Sequence, residues 1–227
     1  MADISHESAE DDRTHSIQVT GQVFKTGNTT EDVIGIYDQW VKDDHYQKDT
    51  NPSFYKAHIY ACEDIESFFP GDRSKVKVID IGAGTGRVSE VLLGKGFRLM
   101  DALEPSEGML EKARKLNVYQ RIINECISDK RLPIQNDYYD LAIVSGAMGE
   151  GHIPVVALHE MARIVRPGGV LSIAMREEFV TSCAEYKDRL EPLMKKMESD
   201  GVWKMQRKVK PNYYLDKSGL VYRFVIC

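Results

Sequence analysis

The sequence predicts an α/β fold, a mostly parallel sheet with helices on both faces, and three observations carry that prediction. Val76, Val78, Ile79 and Ile81 form a bunched β-branched run, the kind that fills a strand buried on both sides. Glycines follow at alternate positions, Gly82, Gly84 and Gly86, and then Val88, Val91 and Leu92 resume at helical spacing. Strand, glycine turn and helix in that order make a nucleotide-type site at the carboxyl end of a strand. Further strand and helix segments then alternate regularly, which favours parallel pairing with right-handed crossovers. The last two strand-like segments, 202–209 and 220–226, are joined by a stretch too short for a helical crossover. They are expected to pair antiparallel.

From the amino terminus, the first 16 residues are polar and mostly acidic and read as disordered. Ile17 and Val19 alternate like a short extended segment, so residues 1–28 form a disordered or extended lead. Thr29-Thr30-Glu31-Asp32 opens a helix with capping and acidic first-turn residues. Val33, Ile36, Tyr37, Trp40 and Val41 mark its apolar face. A second helix follows Pro52, striped by Phe54, His58, Ile59, Cys62 and Ile65, and ends at Pro70-Gly71.

After the glycine turn and its helix, residues 97–104 form a second strand that ends on Glu104. Pro105 suits a first helical turn, and Met109, Leu110, Ala113 and Leu116 supply that helix's apolar side. Third and fourth strands are expected at 120–126 and 139–145, separated by a turn at Asn136-Asp137. A helix over 154–166 stops at Pro167-Gly168-Gly169 and leads into a fifth strand, 170–175. A helix over 179–197 precedes the final pair. No internal repeat interrupts the series.

The glycine spacing separates two nucleotide classes. The dinucleotide fingerprint needs a small residue at position 87, where helix and strand pack closely, and this chain has Arg87. An Asp two residues before the first glycine, with glycines at every second position, resembles motif I of the class I S-adenosylmethionine-dependent methyltransferases. Glu104-Pro105-Ser106, Tyr139-Asp140-Leu141-Ala142 and Arg166-Pro167-Gly168-Gly169-Val170-Leu171 resemble the later motifs of that class, in order. Ile36-Tyr37-Asp38-Gln39-Trp40 with Tyr46, and Gly151-His152-Ile153-Pro154, look more narrowly like the methyltransferase-like group named for the Williams–Beuren chromosomal region.

The resemblance implies a Rossmann-like class I methyltransferase fold. Its sheet would have seven strands in the order 3-2-1-4-5-7-6, with strand 7 antiparallel. Strands 1 and 4 then flank the topological switch point, where ligands bind. One methyltransferase domain would span 29–227, with residues 29–71 as a helical lid over the cofactor and 72–227 as the core. The implied cofactor is S-adenosyl-L-methionine, leaving S-adenosyl-L-homocysteine as product.

Residue by residue, Gly82, Ala83, Gly84 and Gly86 form the turn against which the methionine part would lie. Asp80 either holds the cofactor's ammonium, directly or through water, or braces the loop. A carboxylate at Glu104, beside Pro105, can accept both ribose hydroxyls; the bland alternative is an ordinary helix N-terminal acid. By resemblance Cys126 and Ile127 flank the adenine, with Cys126 replacing the usual acid; otherwise Cys126 is a core cysteine. Ser145 and Gly146 would border the transferable methyl. Aromatic faces attract cations, so among Tyr37, Trp40, Tyr46 and Tyr55 we expect Tyr37 near the sulfonium, the others being core.

Methyl transfer rests mainly on positioning, and a base is needed only if the acceptor must lose a proton. Glu150 and His152, in the loop after the fourth strand, are the candidate catalytic residues. His152 is the better general base because its ordinary pKa lies near neutrality. The competing reading has it bracing the following helix.

Composition narrows the rest. A chain of 227 residues suits one domain with a full core. A net charge of −5, without a run of Lys and Arg, argues against a nucleic-acid partner. The four cysteines form no CxxC pair and the six histidines show no ligand spacing, so reduced thiols and no metal are expected. No apolar stretch reaches the length of a membrane span, and the acidic start is unlike a targeting peptide. A cytoplasmic protein is expected, with a nuclear role compatible with its size. Ser145-Gly146-Ala147-Met148 lacks the pattern of base-directed amino methyltransferases, and a single loop glutamate disfavours arginine methylation. A small-molecule acceptor leads; a protein side chain, a non-catalytic cofactor-binding partner subunit and a nicotinamide oxidoreductase are the rivals.

Overall fold

The computed structural model describes residues 3–227, and the side chains of residues 12–227 other than that of residue 43. Seven strands form one sheet: β1 Lys77–Ile81, β2 Leu99–Leu103, β3 Tyr119–Ile123, β4 Tyr139–Ser145, β5 Val165–Arg176, β6 Trp203–Tyr214 and β7 Lys217–Ile226. Their order is β3-β2-β1-β4-β5-β7-β6. β1 runs parallel to β2 and β4, and β5 parallel to β4, whereas β7 is antiparallel to both β5 and β6. The topology expected from the resemblance is therefore the one observed.

The sheet buries both faces, which is why its central strands read as unbroken apolar runs. Ile79, Ile81, Ala142, Val144, Leu171 and Ile173 point into one core cluster. Val78, Leu141, Ile143, Val170 and Ala174 point into the other, one residue out of phase. Helices α5 Arg87–Gly94, α6 Glu107–Lys115 and α7 Ala157–Ile164 make the crossovers. The carboxyl ends of β1, β2 and β4 consequently open at one edge.

Above that edge lie the N-terminal elements α1 Asp3–Val23, α2 Thr30–Trp40 and α3 His45–Asp49, whereas α4 Ala57–Ala61 packs on a face of the sheet with Val78, Leu141 and Val170. Thr29 caps α2 through a reciprocal bond with Asp32, as the sequence predicts. Residues 3–23, in contrast, are helical rather than disordered or extended, and residues 1–2 lie outside the described residues. The physical reason is a polar buried face. Ser16 and Thr20 meet the Tyr214 hydroxyl at 3.1 and 3.0 Å, and Ser16 Oγ donates to the Asp49 carbonyl at 2.9 Å. Such a face leaves no apolar stripe to read.

Other boundaries moved as well. The second predicted helix contracts to α4 plus a 3-10 turn, Ile65–Phe68. β5 starts at Val165, and a register shift opposite Tyr139 and Leu141 absorbs Pro167-Gly168-Gly169 as a bulge. The helix expected over 179–197 is broken into α8 Phe179–Ser182 and α9 Leu190–Ser199, with Asp188 in the left-handed region at φ +57°. Among the described residues no helix is long and apolar enough to cross a membrane.

Candidate active site

A cavity with about 890 Å³ of empty space, its mouth included, lies where β1, β2 and β4 end beneath α2. Its floor is the glycine turn. Gly82 sits at φ +69°, and a Cβ there would fall 2.4 Å from that of Ala147, so only glycine lets the loop after β4 pass so close. Gly84 faces open space, where an added Cβ would meet only the Tyr46 hydroxyl at 3.6 Å. Its N–H donates to Glu104 Oε2 at 2.9 Å, while the Ser106 N–H donates to Oε1 at 2.8 Å.

Each Glu104 oxygen thus has one backbone donor and retains a further lone pair. Burial pushes this carboxyl up to about 7 despite those two bonds. A buried acid with unused acceptor capacity on both oxygens matches a vicinal diol. Leu103, Pro105, Met109 and Ile127 add an apolar wall, and Cys126, Ser145 and Gly146 complete the rim. A nucleoside-bearing cofactor fits this donor and acceptor set.

At the far end of the cavity stand Tyr37 and His152. His152 Nδ1 lies 2.7 Å from the Glu150 carbonyl, which can only accept, so Nδ1 carries the proton. Nε2 is therefore the acceptor for the Tyr37 hydroxyl, 3.0 Å away. Phe24 stacks on the imidazole with centroids 4.7 Å apart. Burial lowers the His152 pKa to about 4, with the charge of Arg176 adding to the effect and the Glu150 carbonyl opposing it. Burial likewise raises the Tyr37 hydroxyl well above its ordinary range. Tyr186 fixes the loop that carries His152, accepting from Gly149 N–H at 2.8 Å and donating to the Ile153 carbonyl at 2.7 Å.

The wall thus unites Tyr37, Gly82, Gly84, Glu104, Pro105, Cys126, Ile127, Ser145, Gly146 and His152. Cys126 is exposed, not a core cysteine. Four expected residues stand apart from it. Asp80 lies behind the turn, fully buried; Tyr119 donates to its Oδ2 at 2.6 Å, while Oδ1 has no partner among the described residues. The Ala83 N–H is used on the Leu103 carbonyl. Gly86 caps α5 at φ +96°, where a Cβ would strike Leu116 at 2.5 Å, so its need for glycine comes from packing. Glu150 turns away, accepting from Gly27 N–H at 3.4 Å and lying 3.3 Å from Cys183 Sγ. A glutamate engaged there does not line the cavity.

Two features escaped the sequence reading. Asp38 of α2 accepts from Ser106 Oγ at 2.6 Å and from Gly108 N–H at 3.0 Å, tying α2 to the start of α6. Arg176 ends β5 next to the cavity. A charged residue closing the mainly apolar stretch 170–175 at the ligand edge was the available signal. Among the described residues no group of three or more His, Cys, Asp or Glu could hold a metal ion.

Comparisons with known proteins agree with this geometry. A family profile described as a methyltransferase domain matches residues 79–173. The human methyltransferase-like protein 27 is 29% identical over 170 residues, covering 75% of this chain and 67% of that protein. A demethylmenaquinone methyltransferase of Corynebacterium efficiens is 30% identical over 168 residues, covering 71% of this chain and 69% of that one. With other demethylmenaquinone methyltransferases, including one from Corynebacterium glutamicum, the match spans about half their length. A Haloferax volcanii methyltransferase solved with the Trm112 activator shares the fold at a TM-score of 0.61 and 16% identity, covering 84% of this chain and 97% of that one. An S-adenosylmethionine-dependent methyltransferase of Thermotoga maritima does so at 0.54 and 21%, covering 85% and 99%.

Proposed function

We propose that this chain, which belongs to the class I S-adenosylmethionine-dependent methyltransferases, methylates a small molecule held between the N-terminal helices and the loop over residues 145–153. The observation that carries this reading is the closure of one cavity by both elements. Its wall runs from Glu104 to the Tyr37–His152 pair, and α2 is latched over it by Asp38. A chamber roofed by helices favours a compact acceptor over a protein segment laid across an open groove.

Within it, Glu104 would hold the ribose, Gly82 and Gly84 the methionine part, and Ile127 with Cys126 the adenine. When bound, S-adenosylmethionine supplies a methyl on a sulfonium, displaced in line by a lone pair of the acceptor to leave S-adenosylhomocysteine. Ser145 and Gly146 would border that line, and Tyr37 would turn its ring or hydroxyl toward it. Orientation in such a chamber is worth effective molarities on the order of 10⁵–10⁸ M.

His152 is better suited to positioning than to accepting a full proton. Its burial disfavours the imidazolium, and its lone pair already receives the Tyr37 hydroxyl. It fixes Tyr37, whose own oxygen lone pairs can receive a hydrogen bond from the acceptor. An acceptor that is nucleophilic without strong base assistance suits this arrangement. A cytoplasmic location goes with the same reading.

The test is a transfer assay with radiolabelled cofactor on tissue metabolite fractions beside protein fractions. Label entering the small-molecule fraction, and lost with Tyr37→Phe, supports the proposal. Label confined to protein would replace the small acceptor by a side chain, and cofactor binding without transfer to either fraction would favour a non-catalytic subunit.

A further inference from the structure

Arg176 closes β5 after a buried run, Val170 to Met175, whose one polar residue is Ser172, and only 8% of its surface is exposed. A guanidinium carries five N–H donors and is charged at every ordinary pH. Among the described residues its side chain makes no hydrogen bond. The nearest carboxylate, Glu178, stands 3.6 Å from Nη1, and both of its oxygens already accept from Lys217 at 2.9 and 2.7 Å.

Aromatic rings enclose the guanidinium instead. Its carbon lies 4.1 Å from the ring centre of Tyr214, 4.8 Å from that of Phe24 and 5.4 Å from that of Phe179. Stacking of this kind offsets part of the cost of burying the charge but leaves the N–H edges unused. A buried charge without hydrogen bonds is expensive, so the fold has kept these donors for something.

Arg176 lines a small chamber, about 460 Å³ of empty space with its open mouth included, which shares Tyr37, Tyr46 and Gly146 as common wall with the larger cavity. The other charged group on its wall is Asp49, and that carboxylate is engaged, with His15 Nδ1 and Trp40 Nε1 each 2.6 Å from Oδ2. The chamber's charged group without a hydrogen-bonded partner is therefore positive. The shared wall of Tyr37 and Gly146 sets this chamber beside the proposed methyl-transfer end.

We infer that Arg176 is a specificity-determining residue that receives a carboxylate on the methyl acceptor, in the chamber bounded by Phe24, Tyr55, Phe179 and Tyr214. This rests on the methyltransferase reading above. A carboxylate matches the fork of a guanidinium with paired N–H bonds and one compensating charge. Its single charge also suits a small chamber with one cation. The carboxylate would sit on the Arg176 side of Gly146 and the nucleophile on the cofactor side, so the two are joined by a short stem.

The experiment uses the full chain with S-adenosylhomocysteine and reads small-ligand binding by ligand-observed NMR. Probes are benzoate, phenylacetate and hexanoate, each beside its primary amide. A charge-assisted hydrogen-bonded pair commonly changes affinity ~10- to 100-fold, so at least one acid should outbind its amide by about tenfold or more. Arg176→Gln should abolish that preference and Arg176→Lys retain part of it, with calorimetric affinity for S-adenosylhomocysteine unchanged in both. Equal binding of every acid and its amide to the wild-type chain, which needs no variant to fold, overturns the inference alone. So does a preference that survives in Arg176→Gln. Failure of the wild-type chain to bind S-adenosylhomocysteine would overturn the methyltransferase reading and this inference with it.

Discussion

The Tyr37 hydroxyl donates to His152 Nε2 at 3.0 Å, joining α2 to the loop after β4 across 115 residues of chain. The Glu150 carbonyl fixes the imidazole tautomer from the other side. α2 and the loop over residues 145–153 therefore meet at a hydrogen bond over the cavity.

His152→Ala is expected to lower turnover by roughly one to two orders of magnitude through loss of Tyr37 positioning, at nearly unchanged affinity for S-adenosylhomocysteine. Because burial holds the imidazole near a pKa of about 4, the wild-type rate at saturating cofactor should show no step near pH 6.5. Rate against pH from 5 to 8, on both proteins, checks this. A wild-type step near 6.5 that vanishes in the variant would restore His152 as a general base.

Cofactor affinity should depend on Glu104 ionisation. Its carboxyl is raised to about 7 in the free protein, whereas ribose hydroxyls donate to the ionised form. Above pH 7 binding needs no proton release; below it a proton must leave first. Affinity for S-adenosylhomocysteine should thus be flat above about pH 8 and fall, by up to about tenfold per unit, as pH drops below 7. Calorimetry in buffers of different ionisation enthalpy measures the released proton directly.

Gly84→Ala and Gly86→Ala should separate binding from packing. Both force an L-residue into the left-handed region, at about 1–2 kcal/mol each, and Gly86→Ala adds the Leu116 clash. Only Gly84 faces the cavity. Melting temperature should fall in both, more in Gly86→Ala, while cofactor affinity should fall chiefly in Gly84→Ala. The reverse pattern would put Gly86 back against the cofactor.

Asp38→Ala should loosen the lid. The lost bonds to Ser106 and Gly108 involve a charged acceptor, worth about 1.5–3 kcal/mol. Hydrogen exchange over residues 31–48 should quicken in the variant, and in the wild type should slow when S-adenosylhomocysteine binds. Equal protection with and without ligand would make these helices plain scaffold.

The sheet was legible because burial on both faces writes itself as apolar runs, and β4 ends where Tyr139 and Ser145 mark it. Glu104 and the glycine turn were legible because a strand ending on an acid and a turn of alternate glycines are local patterns. α1 was not, since Ser16 and Thr20 dock through hydroxyls to Tyr214. The break before α9 was hidden because apolar periodicity continues across residues 183–189 while Asp188 turns the backbone. Glu150 was misplaced for a related reason: spacing puts a residue in a loop but does not aim its side chain. Arg176 depends on the nearby Phe179 together with Phe24 and Tyr214 from distant segments, and no window of sequence contains all three.

The central claim is that the cavity at the ends of β1, β2 and β4 binds S-adenosylmethionine through Glu104. Calorimetry of S-adenosylhomocysteine with the wild-type chain and Glu104→Ala at pH 8 tests it most directly. One site per chain, weakened roughly 10- to 100-fold by the substitution in a folded variant, is the result expected. Unchanged affinity in folded Glu104→Ala, or no binding to the wild type, would contradict it.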